Sequence, residues 1–313
     1  MRALVTGGAG LIGSEIVDQL LVAGHSVISL DNYVSGKPSN LEFAQGFEQF
    51  TGIEGSINDE KLVDDILSSG IEWIFHQACS KNTVCLLDPQ RDLYVNGSGT
   101  LGMLIGAKKH GVKRFVHAST GSVYGRPEQF PTREGHRKDP VSFYGVSKLA
   151  AETYVDLFHK FYGLPTVILR YFHVFGSRQD SSDTGGVVSI FIDRALSDQD
   201  IRITGDGSQI RAFTHVKHIA KINLLAAKEE NAIGQVYNCA SDARVTIKQL
   251  ADKVLSLSPN SKSKISYTEE RVGDIYKFDV ANESLKRELN FDFLSSFEED
   301  LKSTFNEMSN SRA

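Results

Sequence analysis

Short apolar runs alternate with stretches of helical spacing through the first half of the chain. Ala3-Leu4-Val5 reads as a strand, and Leu11 to Val22 follows with apolar residues at helical intervals. Ser26-Val27-Ile28-Ser29-Leu30 is a second strand-like run. Trp73-Ile74-Phe75, Arg114 to Ala118 and Thr166 to Leu169 repeat the theme. Each follows a helical stretch, clearest at Gly99 to Lys109 and Ser147 to Tyr162. This alternation predicts an α/β fold: a Rossmann-type, doubly wound parallel sheet with helices on both faces.

Beyond Arg170 the pattern loosens. Gly176 to Gly186 is rich in Ser, Asp and Gly and reads as a surface loop. The helix Val216 to Ala227 and the strand Gln235 to Asn238 are expected to return to the main sheet. The expected division is residues 1–170 plus about 212–240 in one domain. A smaller, discontinuous α/β lobe then takes about 171–211 plus 241–313. A last helix around Phe297 to Phe305 precedes a polar tail, Ser309 to Ala313, expected to fray.

With 41% hydrophobic and 23% charged residues, the 313-residue chain has the make-up of an ordinary globular protein. A net charge of −5 argues against nucleic acid or an anionic membrane as main partner. Cys79, Cys85 and Cys239 form no zinc spacing, and their odd number predicts reduced thiols. No apolar stretch has the length of a signal peptide or transmembrane helix, so a cytoplasmic location is expected.

The first strand runs into Gly7-Gly8-Ala9-Gly10-Leu11-Ile12-Gly13 and then a helix. Glycines at 7, 10 and 13 let the backbone approach a pyrophosphate, and the helix start offers it unpaired N–H groups. Asp31 closes the second strand near the offset at which an acid grips an adenosine ribose. A carboxylate there accepts from a free 2′-hydroxyl and repels a 2′-phosphate, which predicts NAD rather than NADP. The plainer reading is a strand-end Asp opening the turn Asp31-Asn32.

Tyr144 and Lys148, four residues apart, share one face of a helix. An ammonium near the phenol is expected to lower its pKa and make it a general base. Thr120 follows an apolar strand, where parallel sheets bind ligands, and offers a hydroxyl to share the proton transfer. Alone, a tyrosine–lysine pair is more often solvated surface, and Thr120 a locally bonded loop residue.

These motifs, in this order, resemble the extended short-chain dehydrogenase/reductase family in its nucleotide-sugar epimerase branch, most of all UDP-glucose 4-epimerases. The resemblance rests on Gly7, Gly10 and Gly13, Asp31-Asn32, Asp88-Pro89, Val95-Asn96, Ser119-Thr120 with Val123-Tyr124-Gly125, and Tyr144 with Lys148. It continues through Arg170-Tyr171-Phe172, Gly205-Asp206-Gly207 with Arg211, Tyr237-Asn238, and Arg271 with Gly273-Asp274. It implies a bound NAD held by Gly7, Gly10, Leu11, Ile12, Gly13, Asp31, Asn32, Gln77, Ala78, Asn96, Tyr144, Lys148 and Tyr171. It implies catalysis by Thr120, Tyr144 and Lys148. For the nucleotide-sugar substrate, UDP-linked in such enzymes, it implies contacts from Thr120, Ser122, His173, Val187, Arg211, Arg271 and Asp274. It also implies a homodimer built on the helices around Gly99–Lys109 and Ser147–Tyr162, and C4 epimerisation through a 4-keto sugar.

Related dehydratases carry Asp-Glu after the threonine and decarboxylases a glutamate before Val-Tyr-Gly; here the positions are Gly121 and Ser122. Two further readings stay open: another nucleotide-sugar enzyme of the same family (a UDP-N-acetylhexosamine or UDP-glucuronate 4-epimerase, a decarboxylase or a 4,6-dehydratase), and a noncatalytic NAD-binding regulator. The chain departs from the family pattern at His173, where asparagine is usual, and in the segment Gln77 to Cys85, which includes Lys81. His173 introduces a group able to make binding pH-sensitive. Phe278 is a large ring expected to disfavour an N-acetyl group. His215 and His218 have no supporting acid or cysteine nearby in sequence, so no metal site is expected.

Overall fold

The computed structural model describes residues 1–80, 85–183, 185–269, 279–293 and 295–312. The apolar runs become β1 (Arg2–Thr6), β2 (Ser26–Asp31), β3 (Phe50–Glu54), β4 (Trp73–His76), β5 (Arg114–Thr120), β6 (Thr166–Tyr171) and β7 (Val236–Cys239). They form one parallel sheet in the order β3-β2-β1-β4-β5-β6-β7. Strand order reverses between β1 and β4, and folds of this kind bind ligands at that crevice.

Side chains alternate between two cores, as the period of a strand requires. Ala3 and Val5 enter one core with Ile16, Leu20, Ile219 and Ile222 from the helices Leu11–Val22 and Val216–Lys228. Leu4 enters the other, with Leu67, Leu104 and Phe158 from the helices Glu60–Ser68, Thr100–Lys109 and Phe143–Tyr162. Each such Leu, Ile or Phe contributes about 1.5–3 kcal/mol on burial.

A third core lies among the helices Val187–Leu196, Ile247–Leu257 and Phe297–Asn310, packed on the parallel pair Ile201–Thr204 and Ile265–Thr268. Thr246 with Gln249 and Ser296 with Glu299 form capping boxes that start two of these helices. The expected fraying from Ser309 is corrected. Ser309 and Asn310 are still helical, and Arg312 donates to Ser197 Oγ at 2.9 Å and ion-pairs with Asp193. No helix among the described residues is long and apolar enough to cross a membrane.

Candidate active site

The site is assembled at the carboxyl ends of β1, β2, β4, β5 and β6. After β1, Gly7 holds φ at +66°, and a Cβ there would stand 2.8 Å from the Ala78 nitrogen. Only glycine lets this turn lie against the end of β4. Buried Asp31 accepts from the N–H groups of Ala9 at 2.9 Å and Tyr33 at 2.8 Å. It therefore fixes the glycine turn and still has lone pairs facing the cleft. Asn32 accepts from the Val34 N–H at 3.2 Å. The Asn40 amide and the Lys37 backbone N–H, which no motif singles out, donate to the Ala9 carbonyl at 2.8 and 3.1 Å.

At the end of β4, Gln77 Nε2 donates to Asn223 Oδ1 at 3.1 Å, and Tyr171 OH donates to Gln77 Oε1 at 3.2 Å. Asn223, on the helix Val216–Lys228, closes this triangle through Tyr171 OH at 2.8 Å. Asn223 had no sequence signal, since its partners are distant in the chain.

Ser142 caps the helix Phe143–Tyr162, accepting from the Gly145 N–H at 3.1 Å. A Cβ on Gly145 would come within 2.8 Å of the Ser122 carbonyl oxygen, so glycine lets the first helical turn press against the turn after β5. This brings half-buried Tyr144 close enough to Thr120 for the threonine hydroxyl to act on its phenol. One turn on, Lys148 is 2% exposed. No acceptor among the described residues hydrogen-bonds its ammonium, which lines the cleft.

Burial pushes the Tyr144 phenol far above the usual range; the Cys79 thiol adds to this, the Thr120 hydrogen bond opposes it, and Asp92 adds again. Within the polypeptide, burial thus opposes the lowering expected from Lys148 together with a bound nicotinamide. Burial pulls Lys148 down, while Cys79, Glu152 and Asp92 pull it back up. Beneath it, His76 and His117 stack at 5.7 Å. Burial and then Lys148 hold both neutral, His76 at about 3 and His117 well below its usual value.

One cleft of about 1140 Å³ joins the predicted residues. Gly7, Gly10, Leu11, Ile12, Gly13, Asp31, Asn32, Gln77 and Ala78 line one end, and Thr120, Tyr144, Lys148 and Tyr171 the middle. His173, Val187 and Arg211 line the other end. Asn96 and Ser122 stand outside this lining. Asn96 is buried behind it, accepting from Ser80 N at 2.8 Å and donating to Asp92 at 3.1 Å and Ser147 at 3.0 Å. Ser122 flanks Thr120, donating its N–H to Thr120 Oγ1 at 3.2 Å. Arg271, Asp274, Phe278 and Lys81 lie outside the described residues.

His173 has φ +41°, a left-handed conformation that asparagine and histidine both tolerate. Burial and then Arg211 lower it to about 3, which favours the neutral ring in the protein by itself. His218 does have an acid beside it: Asp300 lies 3.2 Å away, although 82 residues distant in the chain. Among the described residues no group of His, Cys, Asp or Glu is arranged to hold a metal.

Two features fit a dinucleotide. The glycine turn admits no Cβ where a pyrophosphate approaches. The Lys148 side chain is 2% exposed and, among the described residues, no acceptor hydrogen-bonds its ammonium, which a ligand in the cleft can supply.

Comparisons with known proteins agree. A Methanocaldococcus jannaschii protein provisionally named a UDP-glucose 4-epimerase is 36% identical over 276 residues, 88% of each chain. The structure of Thermotoga maritima UDP-glucose 4-epimerase with UDP-glucose superposes with a TM-score of 0.94 at 34% identity, covering 100% of both chains. That of Bacillus cereus UDP-glucuronic acid 4-epimerase with UDP-glucuronic acid and NAD gives 0.91 at 26% identity, over 99% of this chain and 100% of that one. Residues 3–240 match the NAD dependent epimerase/dehydratase family, and with these likenesses over the whole length the chain belongs to that family.

Proposed function

We propose that the protein epimerises a nucleotide sugar at C4, with a UDP-hexose as substrate and bound NAD as cofactor. The observation that carries this reading is the meeting of Thr120, Tyr144 and Lys148 at the middle of one long cleft. Its volume exceeds what one ligand of ordinary size needs, and suits a dinucleotide at one end with a nucleotide sugar at the other. In support of epimerisation over elimination or decarboxylation, the residues after Thr120 are Gly121 and Ser122, neither of them an acid.

When bound, NAD would supply the hydride acceptor and donor that the sugar carbon needs. The glycine turn and Asp31 hold the cofactor's pyrophosphate and adenosine ribose, with Asn32, Gln77, Ala78 and Tyr171 along its length. Lys148 holds the nicotinamide ribose and opposes the burial penalty on the Tyr144 phenolate. Tyr144 takes the C4 hydroxyl proton and later returns it, with Thr120 sharing the hydrogen bond. Arg211 meets the diphosphate, for which a planar guanidinium is suited. His173, Val187 and Ser122 contact the sugar or its carrier, and Arg271 and Asp274 keep the roles assigned by motif.

The proposal extends to architecture and assembly. The parallel sheet serves the cofactor and the third core's lobe serves the substrate. Leu93, Tyr94 and Ile105 are exposed on one stretch of helix, and Phe143, Val146 and Tyr154 on its neighbour. A second copy covers this apolar face in an isologous pair.

The test is incubation with UDP-glucose, UDP-N-acetylglucosamine and UDP-glucuronate separately, following C4 epimers by proton NMR without added reductant. Conversion of UDP-glucose supports the reading; conversion of only another sugar corrects its substrate, and conversion of none refutes it.

A further inference from the structure

Asp88 accepts from the Arg91 N–H at 2.9 Å and Pro89 follows it, so a short helix, Pro89–Leu93, begins here. A π-helical turn, Tyr94–Gly99, continues it, a rare geometry that recurs at functional sites. Together they carry Asp92 and Asn96, each only 1% exposed. Asp92 Oδ2 accepts from Ser147 Oγ at 2.5 Å, and Oδ1 accepts from the Asn96 amide at 3.1 Å. Asn96 Oδ1 in turn accepts from the Ser80 N–H at 2.8 Å, beyond the end of β4. Ser147 lies between Tyr144 and Lys148 on their helix, immediately before the lysine. The carboxylate is therefore locked against the helical turn that carries both groups.

A buried carboxylate is costly unless it is paired. Here the hydrogen-bond partners are a hydroxyl and an amide, and no cation among the described residues forms an ion pair with it. The other ionisable groups around this helix are matched, neutral or exposed. Glu152 is paired with Arg170, and Tyr124 is bonded to Arg170 and Asn238. Burial holds His76 of β4 and His117 of β5 neutral, and Cys79 and Cys85 are free thiols. Arg91 is exposed at the cleft, while Lys108 and Lys109 are exposed beside Tyr162 and Asp64. Asp92 is the buried anion left without a local counter-charge.

We propose that Asp92 is a positioning residue of the reaction: its carboxylate clamps Ser147 and Asn96, and its charge sets the pH range in which Tyr144 and Lys148 work. A fixed anion opposes a phenolate and favours an ammonium, and Asp92 acts on the two side chains in these directions. Removing its charge therefore eases proton loss from both. A profile that needs a phenolate on its acid limb and an ammonium on its alkaline limb then moves toward acid on both. The effect on turnover rests on the epimerase reading, whereas the effect on the Tyr144 proton does not.

The experiment titrates the NAD-bound protein as purified, following phenolate formation by near-ultraviolet absorbance, and takes pH–rate profiles on the same preparations. The absorbance step missing from Tyr144→Phe identifies Tyr144. Asp92→Asn, which keeps the shape and loses the charge, is expected to move that step to lower pH by roughly half a unit or more. Both limbs of the profile should follow it while NAD still copurifies. Asp92→Ser is a second neutral variant, used if Asp92→Asn does not fold. Ser147→Ala keeps the charge and loses a hydrogen bond, so it is expected to slow turnover several-fold and leave the step and limbs in place. Limbs and step unmoved in a folded neutral variant, equal movement by Ser147→Ala, or unfolding of both neutral variants overturns the proposal. A shifted step in a protein that converts no sugar supports the placement of the charge and counts against the epimerase reading.

Discussion

Glu152 grips the Arg170 guanidinium with both carboxylate oxygens, Nε donating to Oε2 at 3.0 Å, one helical turn beyond Lys148. The same Oε2 accepts from Ser119 Oγ at 2.8 Å, and Arg170 Nη1 donates to Tyr124 OH at 2.5 Å. The pair therefore ties the helix carrying Tyr144 and Lys148 to the end of β5 carrying Thr120. Glu152 and Arg170 are positioning residues, with side chains 5% and 1% exposed.

Removing one partner leaves a buried charge uncompensated. Glu152→Ala is expected to lower stability by about 3–5 kcal/mol, read from urea unfolding. A loss below about 1 kcal/mol, the scale of an exposed pair, would show that the contact organises little.

Tyr144→Phe deletes the proton acceptor and keeps the ring. Turnover should fall by roughly 10²–10⁴-fold while NAD still copurifies, as absorbance of the released cofactor would show. Thr120→Ala removes the hydrogen bond that opposes the phenol's upward shift, so it too should slow turnover with substrate affinity little changed. Tyr144→Phe activity within tenfold of the parent would remove Tyr144 from its role.

Acid should destabilise the fold through its buried histidines. His76 and His215 are lowered to about 3 and about 4, chiefly by burial, and His117 well below its usual value. Between pH 6.5 and about 4 the unfolded chain binds protons that the folded chain refuses. Stability therefore falls with acidification by up to about 1.4 kcal/mol per pH unit for each histidine, and these groups contribute no slope above that window. Urea midpoints from pH 7.5 to 4.5 test this, and His117→Phe should flatten the slope by about one histidine's share. Equal midpoints at both ends would contradict the assignment.

Ile105→Glu places a charge at an exposed apolar position of the helix Thr100–Lys109, on the surface proposed to meet a second copy. Sedimentation should give a dimer for the parent chain and monomer for the variant, with near-parental melting. A monomeric parent at micromolar concentration would remove the second copy from the account.

Much of the fold was legible because periodicity and glycine turns are local. The helix Leu11–Val22 has its expected bounds and Asp31 ends its strand as read, while the strand read as Arg114 to Ala118 runs on to Thr120. Strand β3 was missed because Phe50 and Ile53 are its only large apolar residues and no position in it is fully buried. The site residues that act through others were also hidden. Glu152 finds Arg170, Asp92 finds Ser147, and Asn223 finds Gln77 and Tyr171 only in three dimensions. Motif spacing revealed the Tyr144–Lys148 pair, yet could not show that burial would disfavour the charged form of both side chains.

The central claim is a redox-neutral inversion at C4 with Tyr144 as proton acceptor, and UDP-glucose deuterated at C4 tests it most directly. Incubated in ordinary water, the protein is expected to form UDP-galactose that keeps deuterium at C4, with no net change in NAD and no conversion by Tyr144→Phe. Product carrying protium at C4, or no galactose signal from an NAD-loaded protein, would contradict the account.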